Sequence, residues 1–149
     1  MTMRPIAYRL RNLASRKLLA NPGGSRDSGA KIIQWDDSGG PEQAWTLEPV
    51  PGGGAQLRNA ASGKVLANPQ GSRDNGTELI QWDDRGESDQ VWTLEPGPNG
   101  GMRLRNQASR KLLAVPGASK ANGTVVVQWE DTSGAEQEWT FDPPLGSTR

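Results

Sequence analysis

Apolar and polar residues alternate in short bursts along this chain, and the bursts return at a fixed interval. In Ile6-Ala7-Tyr8-Arg9-Leu10-Arg11-Asn12, Tyr8 and Leu10 alternate with Arg9 and Arg11, a period of two that predicts a half-buried strand. The pattern recurs in Gln56-Leu57-Arg58-Asn59 and in Met102-Arg103-Leu104-Arg105-Asn106. Leu10, Leu57 and Leu104 lie 47 residues apart, and the three copies align as far as Phe141 without insertion or deletion.

Within each copy a polar turn follows the Asn, whose side chain, like that of the nearby Ser, bonds readily to local backbone. A four-residue apolar run comes next: Lys17 to Ala20, Lys64 to Ala67 and Lys111 to Ala114. Each run ends at Asn-Pro or Val-Pro, too short for a helix and stopped by a residue without an N–H, which predicts a second strand. A polar loop closed by Gly29, Gly76 or Gly123 leads to a third strand, Ile32 to Trp35, Leu79 to Trp82 or Val126 to Trp129. An acidic, Gly-rich turn then leads to a fourth, Trp45 to Glu48, Trp92 to Glu95 or Trp139 to Asp142. There the Trp and the Leu or Phe two residues on share a face, which makes Trp45, Trp92 and Trp139 core residues.

Four short strands per copy, with no helical period, predict an all-β fold of twelve strands. A unit of this size cannot cover its own apolar face, so the three share one core. A linear stack would need polar end caps, and none stands in the sequence; closure into a threefold barrel removes exposed edges instead. The expectation is a single domain over 1–149, with repeats at about 6–52, 53–99 and 100–143 and a loose tail over 144–149.

Composition narrows the function. The 33% hydrophobic fraction rises to about 46% once the 19 glycines are counted, a globular value. With 17 basic and 17 acidic residues intermixed, no basic stripe awaits a phosphate backbone, so nucleic acid is not expected as a partner. No apolar run approaches the length of a membrane span. No secretory signal is visible near Met1, so a cytoplasmic location, or release by another route, is expected. The absence of Cys and His removes thiolate chemistry, the commonest general base and the commonest metal ligand. Neither an enzyme nor a cofactor-dependent protein is expected.

The elements Gln43-Ala44-Trp45, Gln90-Val91-Trp92 and Gln137-Glu138-Trp139, each preceded by Leu-x-Asn-x-x-Ser-x-Lys-x-Leu and an aliphatic-Gln-Trp strand, resemble those of the ricin-B-type β-trefoil lectins. The resemblance covers nearly the whole chain. It implies a β-trefoil with at most one shallow sugar pocket per repeat, and glycans or glycoconjugates as partners. It also implies that Trp35, Trp82 and Trp129 stack on the apolar face of a pyranose, and that Gln43, Gln90 and Gln137 brace the site and contact ligand.

The chain departs from that family where it usually carries an Asp, directly after the second-strand leucine; here stand Ala20, Ala67 and Ala114. Galactose or N-acetylgalactosamine, the family's frequent ligands, depend on that Asp. The Asn expected before each Gln-x-Trp is also replaced, by Glu42, Asp89 and Glu136. The expectation is therefore that acceptors for sugar hydroxyls have moved to Asp36, Asp37, Asp83, Asp84, Glu130 and Asp131 beside the stacking Trp, and to Asn21 and Asn68.

Blander readings stand beside these. The six acidic residues could be solvated turn residues, and Trp35, Trp82 and Trp129 could wedge under a neighbouring turn. Gln34, Gln81 and Gln128, within strands, are read as satisfied internally. The acidic turns lack the spaced ligand series of a calcium site, so no metal is expected. Repeat 3 carries Val115, Ala121 and Glu130 where repeat 1 has Asn21, Asp27 and Asp36, which points to two competent pockets with the third open. The alternatives to a lectin are a protein-binding trefoil such as a protease inhibitor, or a structural module whose sugar sites are lost.

Overall fold

Four strands form in each repeat of the computed structural model, which describes residues 6–145. Repeat 1 holds β1 (Ala7–Asn12), β2 (Leu18–Ala20), β3 (Ile33–Trp35) and β4 (Trp45–Pro49). Repeat 2 holds β5 (Ala55–Asn59), β6 (Val65–Ala67), β7 (Ile80–Trp82) and β8 (Trp92–Pro96). Repeat 3 holds β9 (Met102–Asn106), β10 (Leu112–Ala114), β11 (Val127–Trp129) and β12 (Trp139–Asp142). The lead-in before Ile6 and the tail beyond 145 lie outside the described residues.

Six strands close a barrel. β1 pairs β4, β4 pairs β5, β5 pairs β8, β8 pairs β9, β9 pairs β12, and β12 returns to β1 with Leu10 opposite Phe141. The ring leaves these strands no free edge to template aggregation. The remaining strands form three hairpins, β2–β3, β6–β7 and β10–β11. The chain is a β-trefoil.

The hairpins are tied to one another by backbone. The Ile32 N–H donates to the Leu79 carbonyl at 3.0 Å, Leu79 to Val126 at 3.0 Å, and Val126 back to Ile32 at 2.9 Å. All three residues are wholly buried. This cycle also explains why the third strands begin one residue later than the apolar pattern predicts. Ile32, Leu79 and Val126 spend their N–H groups on the neighbouring repeat rather than on their own hairpin partner.

Among the described residues, six single-turn 3₁₀ helices, which the hydrophobic pattern does not predict, follow the second and third strands at Pro22–Gly24, Pro41–Gln43, Pro69–Gly71, Ser88–Gln90, Pro116–Ala118 and Ala135–Gln137. Pro opens four of them, its fixed φ already helical and its missing N–H not needed at a first turn.

The core is threefold. Trp45, Trp92 and Trp139 are buried, and their indole N–H groups donate to the carbonyls of Leu19, Leu66 and Leu113 at 3.0, 3.1 and 3.1 Å. Leu10, Leu57 and Leu104 pack in the same cluster. Gln34, Gln81 and Gln128 are buried and fully bonded. Each accepts the hydroxyl proton of a Ser in its own repeat and donates to two carbonyls in another repeat's loop, as Gln81 does to Ser25 and Asp27. Among the described residues, one charged side chain is also buried. Glu138, where the other repeats have Ala44 and Val91, accepts the backbone N–H groups of Asn99 at 3.0 Å and Gly101 at 2.9 Å, and so fixes the β8–β9 turn.

Replacing Trp92 by Ala should cost about 3–5 kcal/mol, as a large core aromatic does. Phe at the same position keeps most of the bulk but strands the buried Leu66 carbonyl, at a cost of about 1–3 kcal/mol. Denaturant titrations of the two variants against the parent check both values and their order.

Candidate functional site

Corresponding concavities open in repeats 1 and 2, between the end of the second strand, the end of the third and the 3₁₀ turn before the fourth. In repeat 1 the hollow is about 200 Å³ and is lined by Ala20, Pro22, Ile33, Trp35, Ser38 and Glu42. In repeat 2 it is about 670 Å³, with Ala67, Pro69, Ile80, Trp82, Arg85 and Asp89 in the same places and Gln70 at its rim. Each hollow therefore meets the position where the resemblance led one to expect an Asp and finds the methyl group of Ala20 or Ala67.

The third-strand tryptophans are partly open: Trp35 is 44% exposed, Trp129 39%, and Trp82 is half-buried. Each rests one edge on another repeat. A Cβ on Gly29 or Gly76 would sit 3.4 Å from Cζ3 of Trp82 or Trp129, and one on Gly123 would sit 3.6 Å from that of Trp35. These glycines have φ of 92°, 87° and 88°, so the backbone calls for glycine, while a Cβ there would only touch the ring. The two readings of these indoles thus meet: one edge is wedged against a loop while part of the ring stays open.

Gln43, Gln90 and Gln137 are bracing residues. Their amides donate to the carbonyls of Asp36, Asp83 and Glu130 at 2.6–2.7 Å and accept from the N–H of Ser38, Arg85 and Thr132 at 2.8–2.9 Å. With the side chains buried, both ends of each amide are spent on the loop.

The acids beside each Trp are held by ion pairs and turn caps. Asp37, Asp84 and Asp131 turn back to the barrel and pair with Arg9, Arg58 and Arg103, while each also caps the N–H two residues on. Asp36 and Asp83 pair with Lys17 and Lys64 at 2.7 Å. Glu130 meets Asn75, from another repeat's loop, as Asp36 meets Asn122. None of Asp36, Asp37, Asp83 and Asp84 lines either hollow. Ion pairs and turn caps engage these four carboxylates instead. Asn21 and Asn68 are wholly buried and donate to the Ser25 and Ser72 carbonyls at 2.8 Å; Asn21 borders the first hollow, and the Oδ1 of each has no partner.

Of the carboxylates, Glu42 lines the first hollow and Glu87 and Asp89 line the second, with Glu42 and Asp89 standing directly before the bracing Gln. Their carbonyls are pinned twice, Glu42 by the N–H of Asn21 and the amide of Asn59, Asp89 by the N–H of Asn68 and the amide of Asn106. The signal for them was present, since an acid stands at this position in all three repeats. The Glu42 carboxylate accepts the Ser38 hydroxyl at 2.7 Å. Asp89 has no such donor: one of its oxygens is buried without a partner, and burial, with the charge of Glu87, pushes its carboxyl above the ordinary range.

The other shifted carboxyls move the opposite way. Asp84 is held low by hydrogen bonds from Gln56 and Arg58, and Glu95 by Arg105. Their contribution to stability is complete above the ordinary carboxylate range and is lost as pH falls through the depressed folded values. Asp89 has the reverse sign, its charge removing stability as pH rises through its raised value. Asp84→Asn should therefore lower the melting temperature at pH 7 and flatten its fall below about pH 4, while Asp89→Asn should raise it at pH 7. Thermal melts across pH 2.5–7 (a span bracketing the usual carboxylate range) check both directions.

Among the described residues, no helix is long and apolar enough to cross a membrane, and no three His, Cys, Asp or Glu gather as a metal-ligand set. A family model described as a ricin-type beta-trefoil lectin domain-like matches residues 3–82 and 88–148. No curated protein sequence matches the chain significantly. Among solved structures it is similar to the designed 3-fold symmetric protein ThreeFoil, at 32% identity and TM-score 0.87, over 91% of this chain and 96% of that one. It is also similar to 1,3Gal43A, an exo-beta-1,3-galactanase from Clostridium thermocellum, at 32% identity and TM-score 0.89. That match covers 95% of this chain but only 31% of the galactanase. The Macrolepiota procera ricin B-like lectin, solved in complex with lactose, shares the fold at 24% identity and TM-score 0.79, over 95% of this chain and 97% of that one.

Proposed function

Because the chain belongs to the ricin-type beta-trefoil lectin-like family, we propose that it is a non-enzymatic lectin that binds glycans in the hollows of repeats 1 and 2. The observation that carries the reading is the pair of corresponding hollows, each with an open indole on one side and a carboxylate on another. A pyranose presents C–H groups on one face and hydroxyls around its rim. The indole covers the first and the carboxylate accepts from the second.

Trp35 and Trp82 are the stacking residues in this reading, with Trp129, also open, the candidate for a third site. Gln43, Gln90 and Gln137 act by positioning, since they hold the loop that carries each third-strand Trp. Galactose- and N-acetylgalactosamine-type glycans are the first class to test, with Glu42 and Asp89 taking the hydroxyls that an Asp at Ala20 and Ala67 would have taken. Each hollow is shallow, so strength comes from joining two weak contacts on one rigid body, where the second binds at high effective concentration.

A glycan array should give a sugar-selective signal from the whole protein. Trp35→Ala with Trp82→Ala should reduce binding to the best glycan at least about tenfold, the equivalent of 1.4 kcal/mol, with the fold intact by near-UV spectroscopy. An array without signal at high protein concentration, or a double variant that binds like the parent, would overturn the reading.

A further inference from the structure

The two hollows are built on one plan but differ in charge. In repeat 1, Ser38 supplies the hydroxyl that satisfies Glu42. In repeat 2 that position is Arg85, whose guanidinium lies 3.6 Å from Glu87, outside the carboxylate of Asp89. Arg85, paired with Glu87, lines the same hollow and offsets the charge of Asp89 only in part, donating it no hydrogen bond, so one Asp89 oxygen stays buried and unpartnered. A partly desolvated carboxylate without a donor is a costly arrangement, and its elevated proton affinity reflects that cost.

The same hollow differs from the others at its rim and in its size. At the rim, where repeats 1 and 3 place Gly23 and Gly117 at φ of 62° and 60°, repeat 2 places Gln70 at φ of 57°. Gln70 thereby places an amide side chain at the rim where the other repeats have none. The hollow itself, at about 670 Å³, is within the roughly 300–1,000 Å³ typical of ligand sites, whereas that of repeat 1, at about 200 Å³, is below it.

We propose that the repeat-2 hollow selects an amino sugar with a free, protonated amine, its ammonium on Asp89 and its C–H face on Trp82. An ammonium satisfies the orphan oxygen with a charge-assisted hydrogen bond, and the neighbouring indole adds cation–π attraction. An N-acetyl group removes the charge, and a hydroxyl supplies only a neutral donor. Repeat 1, whose carboxylate already holds a hydroxyl, lacks this preference. The inference rests on the lectin reading above and narrows it for one site.

Calorimetric titration at pH 6, where the sugar amine is protonated, tests it in a Trp35→Ala, Trp129→Ala background that isolates repeat 2. The probes are galactosamine and glucosamine, each against its N-acetylated and neutral parent sugar. The expected result is an amine preference of tenfold or more that vanishes in Asp89→Asn and persists in Asp74→Asn, which removes the same charge from an exposed loop. Trp82→Ala should abolish binding of all six sugars. Equal binding of amine and parent sugars, or a preference untouched by Asp89→Asn, overturns the proposal and leaves the lectin reading standing. Failure of every sugar to bind, together with a silent glycan array, removes both.

Discussion

Three backbone hydrogen bonds, each passing from one repeat to the next, govern this structure. Ile32, Leu79 and Val126 donate in a cycle that no single repeat can complete. The bonds lie in a wholly buried setting, where an unpaired amide would be expensive, so the three hairpins must assemble together. The open indoles sit three residues further along the same strands, which ties their placement to the cycle. A shallow binding surface needs such rigidity, because it has no deep walls to fix a ligand's orientation.

Around that cycle, polar side chains do much of the joining between repeats. Gln34, Gln81 and Gln128 reach into loops of other repeats, and Asn12, Asn59 and Asn106 hold the carbonyls of Glu136, Glu42 and Asp89. The core has one Phe and one Tyr, so apolar burial rests on three tryptophans and a set of leucines, isoleucines and valines. The buried amides of these Gln and Asn residues lock one repeat against the next. Among the described residues four buried side-chain atoms stay unpartnered, Oδ1 of Asn21, Asn68 and Asp89 and Nε of Arg103, and that of Asp89 lies beside the hollow of repeat 2. Uncompensated polarity beside an open indole is the kind of local compromise that a binding site retains.

Much of the architecture could be read from the chain. The alternation of Tyr8 and Leu10 with Arg9 and Arg11, returning every 47 residues, fixed the strands, and the Trp two residues before Leu47, Leu94 or Phe141 identified the core. The site was only half legible. Trp35 and Trp82 line the hollows, but the acids next to them along the chain do not. Side chains alternate across a strand and turns redirect them, so adjacency to Trp35 put Asp36 and Asp37 beside Lys17 and Arg9 instead. Glu42 and Asp89, seven residues past the Trp, come back to the hollow through a 3₁₀ turn that no hydrophobic period announces. Glu138 was equally silent, because its partners are backbone groups of a turn almost 40 residues earlier.

The glycine contacts of the open indoles have a consequence for how the repeats diverge. Gly29 belongs to repeat 1 but supports Trp82, Gly76 supports Trp129, and Gly123 supports Trp35. Inheritance and use are thus out of phase by one repeat. The altered loop of repeat 3, with Ala121 and Asn122, abuts the first hollow, and the mutational history written in one third of the chain is expressed in another. Grafting a site into a protein of this shape would mean transplanting segments from two thirds at once.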